Sequence, residues 1–202
     1  MTKNRAALCV GINQFKNYPS SALQGCVHDA QDMSALLQKL VSFSSSDVTL
    51  LTDAQATKAN IMQRLQQMVV GAKAGKYSYL VFSMSSHGTQ VPDTGGDEPD
   101  KADEALCPHD LAAKGNQWDR NHIIVDDELQ DLFVQLPSNV LLEVYLDTCH
   151  SGTGLKAIDM LLERKPRYLP PPSLEAFEQV EGKRSRGLSD RLGEKSLQHH
   201  VL

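Results

Sequence analysis

The sequence predicts an α/β domain built around a mainly parallel sheet. Three apolar runs, at 6–12, 79–84 and 140–146, are short, nearly continuous and partly β-branched or aromatic, the pattern of strands buried on both faces. Stripes with helical period lie between them. Strands alternating with helices in this way pack as layers about a parallel sheet.

The elements follow in order. The run at 6–12 is the first strand. Met33, Leu36, Leu37 and Leu40 then fall at i, i+3, i+4 and i+7, with Asp29 near the helix start. DVTLLT at 47–52 is a plausible further strand. A second helix carries Ile61, Leu65, Met68 and Val69, with Thr57 as its cap and Gly71 near its end. The strand at 79–84 follows. A third helix carries Leu129, Leu132, Phe133 and Leu136. Asp126 and Asp127 sit at its start, where carboxylates suit the helix dipole, and Pro137 follows its end. The strand at 140–146 closes the pattern.

Two stretches break the alternation. Residues 87–123 show little periodicity, and loops this long inside a domain are usually functional. Within them, 93–110 holds seven acidic residues and one Lys. From Glu163 onward the chain has PPP at 170–172 and basic clusters at Arg164-Lys165 and Lys183-Arg184-Ser185-Arg186, which reads as a linker or tail.

Composition bounds the function. A chain of 202 residues with 41% apolar and 22% charged residues is neither disordered nor built for a membrane. There is no membrane-length apolar run, and MTKNRAALCVGI lacks the form of a signal peptide, so the expected compartment is the cytoplasm. A net charge of −5 argues against nucleic acid as a partner. The four cysteines (Cys9, Cys26, Cys107, Cys149) form no CxxC pair. In a reducing compartment their thiols stay free.

In open parallel sheets ligands bind beyond the carboxyl ends of the strands. The strand at 79–84 runs into Ser85-Ser86-His87-Gly88. The strand at 140–146 runs into Asp147-Thr148-Cys149-His150. If the two are neighbours, His87 and Cys149 meet at one sheet edge as base and nucleophile. An imidazole can deprotonate the thiol, and attack on a carbonyl then needs backbone N–H donors for the oxyanion. Gly88 and the Cys149 amide are placed to supply them. A small buried cysteine and a satisfied loop histidine are the bland alternative, which the paired strand-end placement outweighs. His150 is a weaker candidate base. His109 and His122 match no metal-ligand spacing.

The pieces SSHGTQ (85–90), GDEPDKADEALCPHD (96–110) and DTCHSG (147–152), with LQGCVHDAQDM (23–33), resemble the metacaspase and orthocaspase branch of the caspase-like cysteine peptidases. The resemblance spans about residues 5–155. It implies a caspase-like three-layer sandwich, with a catalytic large-subunit domain over 1–162 and a Pro-rich, basic linker or tail over 163–202. It implies a cysteine endopeptidase with His87 and Cys149 as the dyad and Gly88 in the oxyanion site. It also implies that Cys26, Asp29, Ser85 and Asp147 line the primary specificity pocket. Two carboxylates there suit a cation, so cleavage after Arg or Lys is expected.

Asp126 and Asp127 resemble the paired aspartates of the calcium site in many metacaspases, and Asp103 lies in the matching acidic loop. Calcium and a merely solvated acidic loop stand level, because Lys156 lies close to where a further aspartate is expected, with Asp159 nearby. Ser86 replaces the Gly usual before the catalytic His, and could narrow the site. His28 stands where Asn is common. The two small-subunit strands of the family are not in view. The expectation is therefore a large-subunit portion, a shortened relative or a truncated chain, with a small-subunit fragment or second chain as partner for the open edge. Protein or peptide substrates with Arg or Lys at the cut, and self-cleavage in the basic tail, follow. Two rival readings are a non-catalytic module binding basic peptides or a sheet-completing partner, and a metal-dependent hydrolase on His87, His109, His122 and the acidic loop.

Overall fold

The computed structural model describes residues 4–92, 102–148 and 167–173. Its elements in chain order are β1 (Arg5–Gly11), α1 (Cys26–Leu40), β2 (Val48–Thr52), α2 (Lys58–Lys73), β3 (Tyr79–Ser85), β4 (Gly88–Pro92), β5 (Ala102–Leu106), β6 (Ala113–Lys114), β7 (Gln117–Trp118), β8 (Ile124–Val125), α3 (Asp126–Phe133) and β9 (Leu141–Asp147). The main sheet has strand order β2-β1-β3-β9, and every pairing in it is parallel.

Side chains alternate across this sheet, and that alternation makes the layers. Leu8 and Val10 of β1, with Leu80, Phe82 and Met84 of β3, face a core completed by Ile61 and Leu65 of α2 and Leu129 and Leu132 of α3. Ala7 and Cys9 of β1, with Tyr79 and Val81 of β3, face the opposite core, completed by Ala30 and Leu37 of α1. Helices thus cover both faces, giving the three-layer sandwich. Strands β1 and β3 read as continuous apolar runs because neither face meets water. Each fully buried Leu, Ile or Phe contributes roughly 1.5–3 kcal/mol.

Helix ends follow local chemistry. The Thr57 hydroxyl caps α2 by accepting from the Asn60 amide at 3.3 Å. Gly25 precedes α1 with φ of 101°, a conformation that suits glycine. Gly11 ends β1 under tighter constraint. A Cβ there would lie 2.3 Å from the Cys26 carbonyl oxygen and 2.8 Å from Ala30 Cβ. Its missing side chain lets the first turn of α1 press onto the end of the sheet.

The stretch at 87–123 is not an irregular loop. It contributes β4 and β5 to a second, antiparallel sheet that β8 completes just beyond it, and it contains the small β6-β7 hairpin. These strands are two to five residues long, too short to show a period in the sequence. Residues 167–173, expected to belong to a linker or tail, include Tyr168 and Leu169, both buried against the domain. Among the described residues β9 pairs on one side only, with β3. No described helix is long and apolar enough to cross a membrane.

Candidate active site

Parallel register brings the site together. Gly11 of β1 lies opposite Ser85 of β3, and Ser85 lies opposite Asp147 of β9. One row across three neighbouring strands therefore ends in Gly, Ser and Asp. The approach of α1 over Gly11 adds a fourth group, Asp29 in the first helical turn. The Ser85 hydroxyl donates to Asp29 Oδ2 at 2.9 Å. Cys26, at the start of the same helix, is fully buried beneath them. The four residues expected to line a pocket are thus gathered at the carboxyl ends of the strands.

His87 follows β3 immediately and is buried. Its Nε2 lies 2.8 Å from the carbonyl oxygen of Ser21, and its ring packs on Phe15 with centroids 5.1 Å apart. A carbonyl can only accept, so Nε2 carries the hydrogen, and in the neutral ring Nδ1 is left as the basic nitrogen. The loop that supplies these contacts is itself tied down. Asp53 Oδ1 accepts from the amides of Asn13 and Gln14 at 2.8 and 2.9 Å, and the Leu23 amide donates to the Asn13 carbonyl at 2.8 Å.

A basic side chain from the same protein fills the pocket. Arg167 Nη2 donates to Asp29 Oδ2 at 2.8 Å, and Nη1 donates to the Ser85 hydroxyl at 2.7 Å and to the Asp147 carboxylate. Burial works against the Arg167 charge. Cys26, Asp29 and Asp147 outweigh it, so its pKa moves up. The backbone is held as well: the Gly88 amide donates to the Arg167 carbonyl oxygen at 2.8 Å, and the Leu169 amide donates to the Gly88 carbonyl at 2.9 Å. Arg167 is the residue sequence reasoning missed. Its neighbours Arg164-Lys165 were noticed for charge alone, and a single Arg before Tyr-Leu-Pro carries no periodic signal.

The described cysteines are poor nucleophiles. Burial pushes the Cys9 thiol up to about 12 and raises Cys107 further. Burial also raises Cys26, partly offset by the Ser85 hydroxyl and the Arg167 charge. All three stay protonated at neutral pH. Cys149, the expected nucleophile, lies outside the described residues, as do His150, Lys156 and Asp159.

With this geometry in view, comparison with known proteins is informative. The family model described as "Metacaspase, peptidase C14 domain" matches residues 5–158. The chain belongs to the metacaspase family. It is 37% identical over 161 residues to Metacaspase-1 of Cryptococcus neoformans, covering 76% of this chain and 33% of that protein. It is 38% identical to Metacaspase-1A of Aspergillus clavatus over the same share of this chain and 35% of that one. The metacaspase domain described here thus spans about a third of the length of the curated relatives it matches. A crystal structure of a protein from Geobacter sulfurreducens superposes with a TM-score of 0.62 at 30% identity, covering 96% of this chain and 67% of that one.

The metacaspase departures have local explanations. Ser86 is fully buried and donates to the Cys107 carbonyl at 2.7 Å, so its hydroxyl is spent on β5's exit rather than on the pocket. His109 Nδ1 lies 2.6 Å from the Gln14 carbonyl oxygen, and His122 Nδ1 lies 3.1 Å from Asp119 Oδ2. Each has its own partner away from His87, and among the described residues no group of three or more His, Cys, Asp or Glu is arranged to hold a metal.

The acidic corner lies at β5, β8 and α3. Asp103 is buried, and its Oδ2 accepts from Arg120 at 3.0 Å. Burial raises the Asp126 carboxyl to about 6, with Asp127, Asp103 and Glu104 adding to the rise. Carboxylates that raise one another's pKa are the ordinary precursor of a divalent-cation site. Here the described part supplies a negative corner rather than a closed cage.

Proposed function

We propose that this chain is the catalytic domain of a cysteine endopeptidase that cleaves peptide bonds after Arg or Lys. The carrying observation is the guanidinium of Arg167 held between Asp29, Ser85 and Asp147 beside His87 and Gly88. A pocket with two carboxylates on a planar cation selects Arg, with Lys accepted as a point charge. His87 takes the Cys149 proton on Nδ1 while Ser21 holds the ring. The thiolate attacks the carbonyl, and the Gly88 amide stabilises the oxyanion, with the Cys149 amide as its expected companion. His87 returns the proton to the leaving amine, and water hydrolyses the acyl-enzyme. Self-processing belongs to the same chemistry, as does a partner strand on the open side of β9.

Calcium, where it binds, would be held by Asp126 and Asp127 and would compete with Arg120 for Asp103. It would supply charge neutralisation of that corner. Hydrolysis of a fluorogenic Arg-ended peptide by wild type but not by Cys149→Ala, with calcium and with chelator, tests the whole reading. No turnover from a folded protein in any condition overturns it in favour of a peptide-binding module.

A further inference from the structure

His109 has no part in the proposed chemistry, yet it stands where three backbone segments around His87 cross. It is half-buried. Its amide donates to the Ala56 carbonyl at 2.9 Å, its carbonyl accepts from the Lys16 amide at 2.9 Å, and its ring Nδ1 lies 2.6 Å from the Gln14 carbonyl oxygen. A carbonyl can only accept, so Nδ1 carries a hydrogen and donates, in the neutral ring and in the protonated one alike. Two residues earlier, the Cys107 amide donates to the carbonyl oxygen of His87 itself at 3.0 Å. The short stretch Cys107-Pro108-His109 therefore ties the main chain of His87 to the loop at 13–23.

Gln14 is the point of attachment. Its carbonyl is held by His109, and its amide donates to Asp53 Oδ1 at 2.9 Å. Side chains from two distant segments thus fix one residue from both ends. They are joined in turn through Ala56, whose amide donates to the Asp53 carbonyl at 2.7 Å and whose carbonyl takes the His109 amide. Asp53 itself has φ of 42°, the left-handed region that residues with a Cβ enter at a cost and that Asp tolerates better than most. The residue after Gln14 is Phe15, whose ring packs on His87, and the loop runs on to Ser21, whose carbonyl accepts from His87 Nε2. One frame therefore carries the backbone of His87 and both of these contacts on its ring. Resting on the proposed peptidase reading, we infer that His109 is a positioning residue for that reaction, acting through Gln14. It fixes the loop at 13–23 against the segment that holds the His87 main chain. Ser21 is thereby kept on Nε2, and the basic lone pair of the neutral ring stays on Nδ1. A displacement of about 1 Å in a reacting group can cost 10²-fold in rate, so a clamp that never touches substrate still shapes the reaction.

The role needs a hydrogen-bond donor at the place of Nδ1 rather than an imidazole. An Asn side-chain amide offers one there, and Ala does not. The test uses the full 202-residue chain as wild type, His109→Asn, His109→Ala and Asp53→Ala. On an Arg-ended fluorogenic peptide, His109→Ala should lower kcat about tenfold or more with KM within about twofold. His109→Asn should stay within about threefold of wild type. Asp53→Ala releases the other end of Gln14 and should give the same loss in kcat, so the inference stays exposed even where His109→Ala does not fold. A lower melting temperature with kcat intact makes His109 a structural residue only and overturns the inference. So does a folded His109→Asn chain as slow as His109→Ala.

A second readout does not need turnover. Ring-nitrogen NMR of His87, assigned by its loss in a His87→Gln chain, reports which nitrogen carries the hydrogen in the neutral side chain. Wild type and His109→Asn should show the Nε2–H form alone. His109→Ala and Asp53→Ala should show a mixture of the two tautomers. The same single form in all four chains overturns the inference and leaves the peptidase reading standing. No turnover by wild type, with the mixture confined to the two alanine chains, overturns the peptidase reading and leaves the hold of His109 on the ring standing.

Discussion

The pocket at the strand ends and the corner at β5, β8 and α3 are both clusters of carboxylates, yet they sit in opposite electrostatic states. In the pocket, the side chains of Asp29 and Asp147 are 42% and 67% exposed, and they share one partly buried guanidinium. In the corner, Asp103 is buried and pairs with the partly exposed Arg120. Asp126 is desolvated by burial beside three acidic neighbours, and its pKa climbs. The lesson concerns charge balance. A carboxylate pair near water and open to a cation is a recognition device, whereas a buried surplus of carboxylates is a standing cost that protons or a divalent ion relieve.

The largest expected effect tests the chemistry that the pocket serves. Cys149→Ala and His87→Ala should each lower kcat/KM on an Arg-ended peptide by about 10³-fold or more in protein that remains folded, His87→Ala with some loss of melting temperature because the ring is buried. Next comes the pocket. Asp29→Asn and Asp147→Asn each remove a charge-assisted bond of about 1.5–3 kcal/mol, so kcat/KM for Arg substrates should fall roughly 10- to 100-fold in peptide assays. If neither substitution discriminates against Arg, the two carboxylate clusters do not differ in kind.

Gly11→Ala strikes the contact that assembles the pocket. The added Cβ meets a backbone oxygen, so thermal unfolding should show a loss of about 1–3 kcal/mol. The corner responds to pH. The fold favours protonated Asp126 up to about pH 6 against an ordinary value of 3.8. The cost of ionising it therefore sets in as pH rises from 4 through 6, and is fully present at 7. Asp126→Asn should raise stability at pH 7 by about 1 kcal/mol, after allowance for solvent screening, and leave it unchanged at pH 4. Calcium binding would reverse that sign, since the wild type alone would gain from the ion. A comparably small effect belongs to Ser86→Gly, about 1 kcal/mol of stability from a lost buried hydrogen bond. Here kcat/KM should hold within about twofold, in contrast with the narrowing expected from sequence.

The main sheet was legible because strands buried on both faces leave continuous apolar runs, as at Leu8 and Phe82. Helix α2 was legible to its cap, since Thr57 and the Ile61-Leu65-Met68 stripe obey local rules. The meeting of two strand ends was legible, and the register of Ser85 against Asp147 bears out the neighbourhood of those strands. The second sheet was hidden because β6, β7 and β8 have two residues each. The contacts of Ser21 and Arg167 were hidden for another reason. Both depend on where a backbone carbonyl ends up, and nothing in a residue's identity records that.

That last point has a consequence for how this site tolerates change. The group that orients His87 is the main-chain oxygen of Ser21, which every amino acid carries. Position 21 is therefore free to drift, and Ser21→Ala should be silent in kcat/KM. A side chain that sets the path of the chain there is Asp53, through its two bonds to the amides of Asn13 and Gln14. The orientation of the proposed base is thus inherited in part through a loop's shape, beside the packing of Phe15 on its ring.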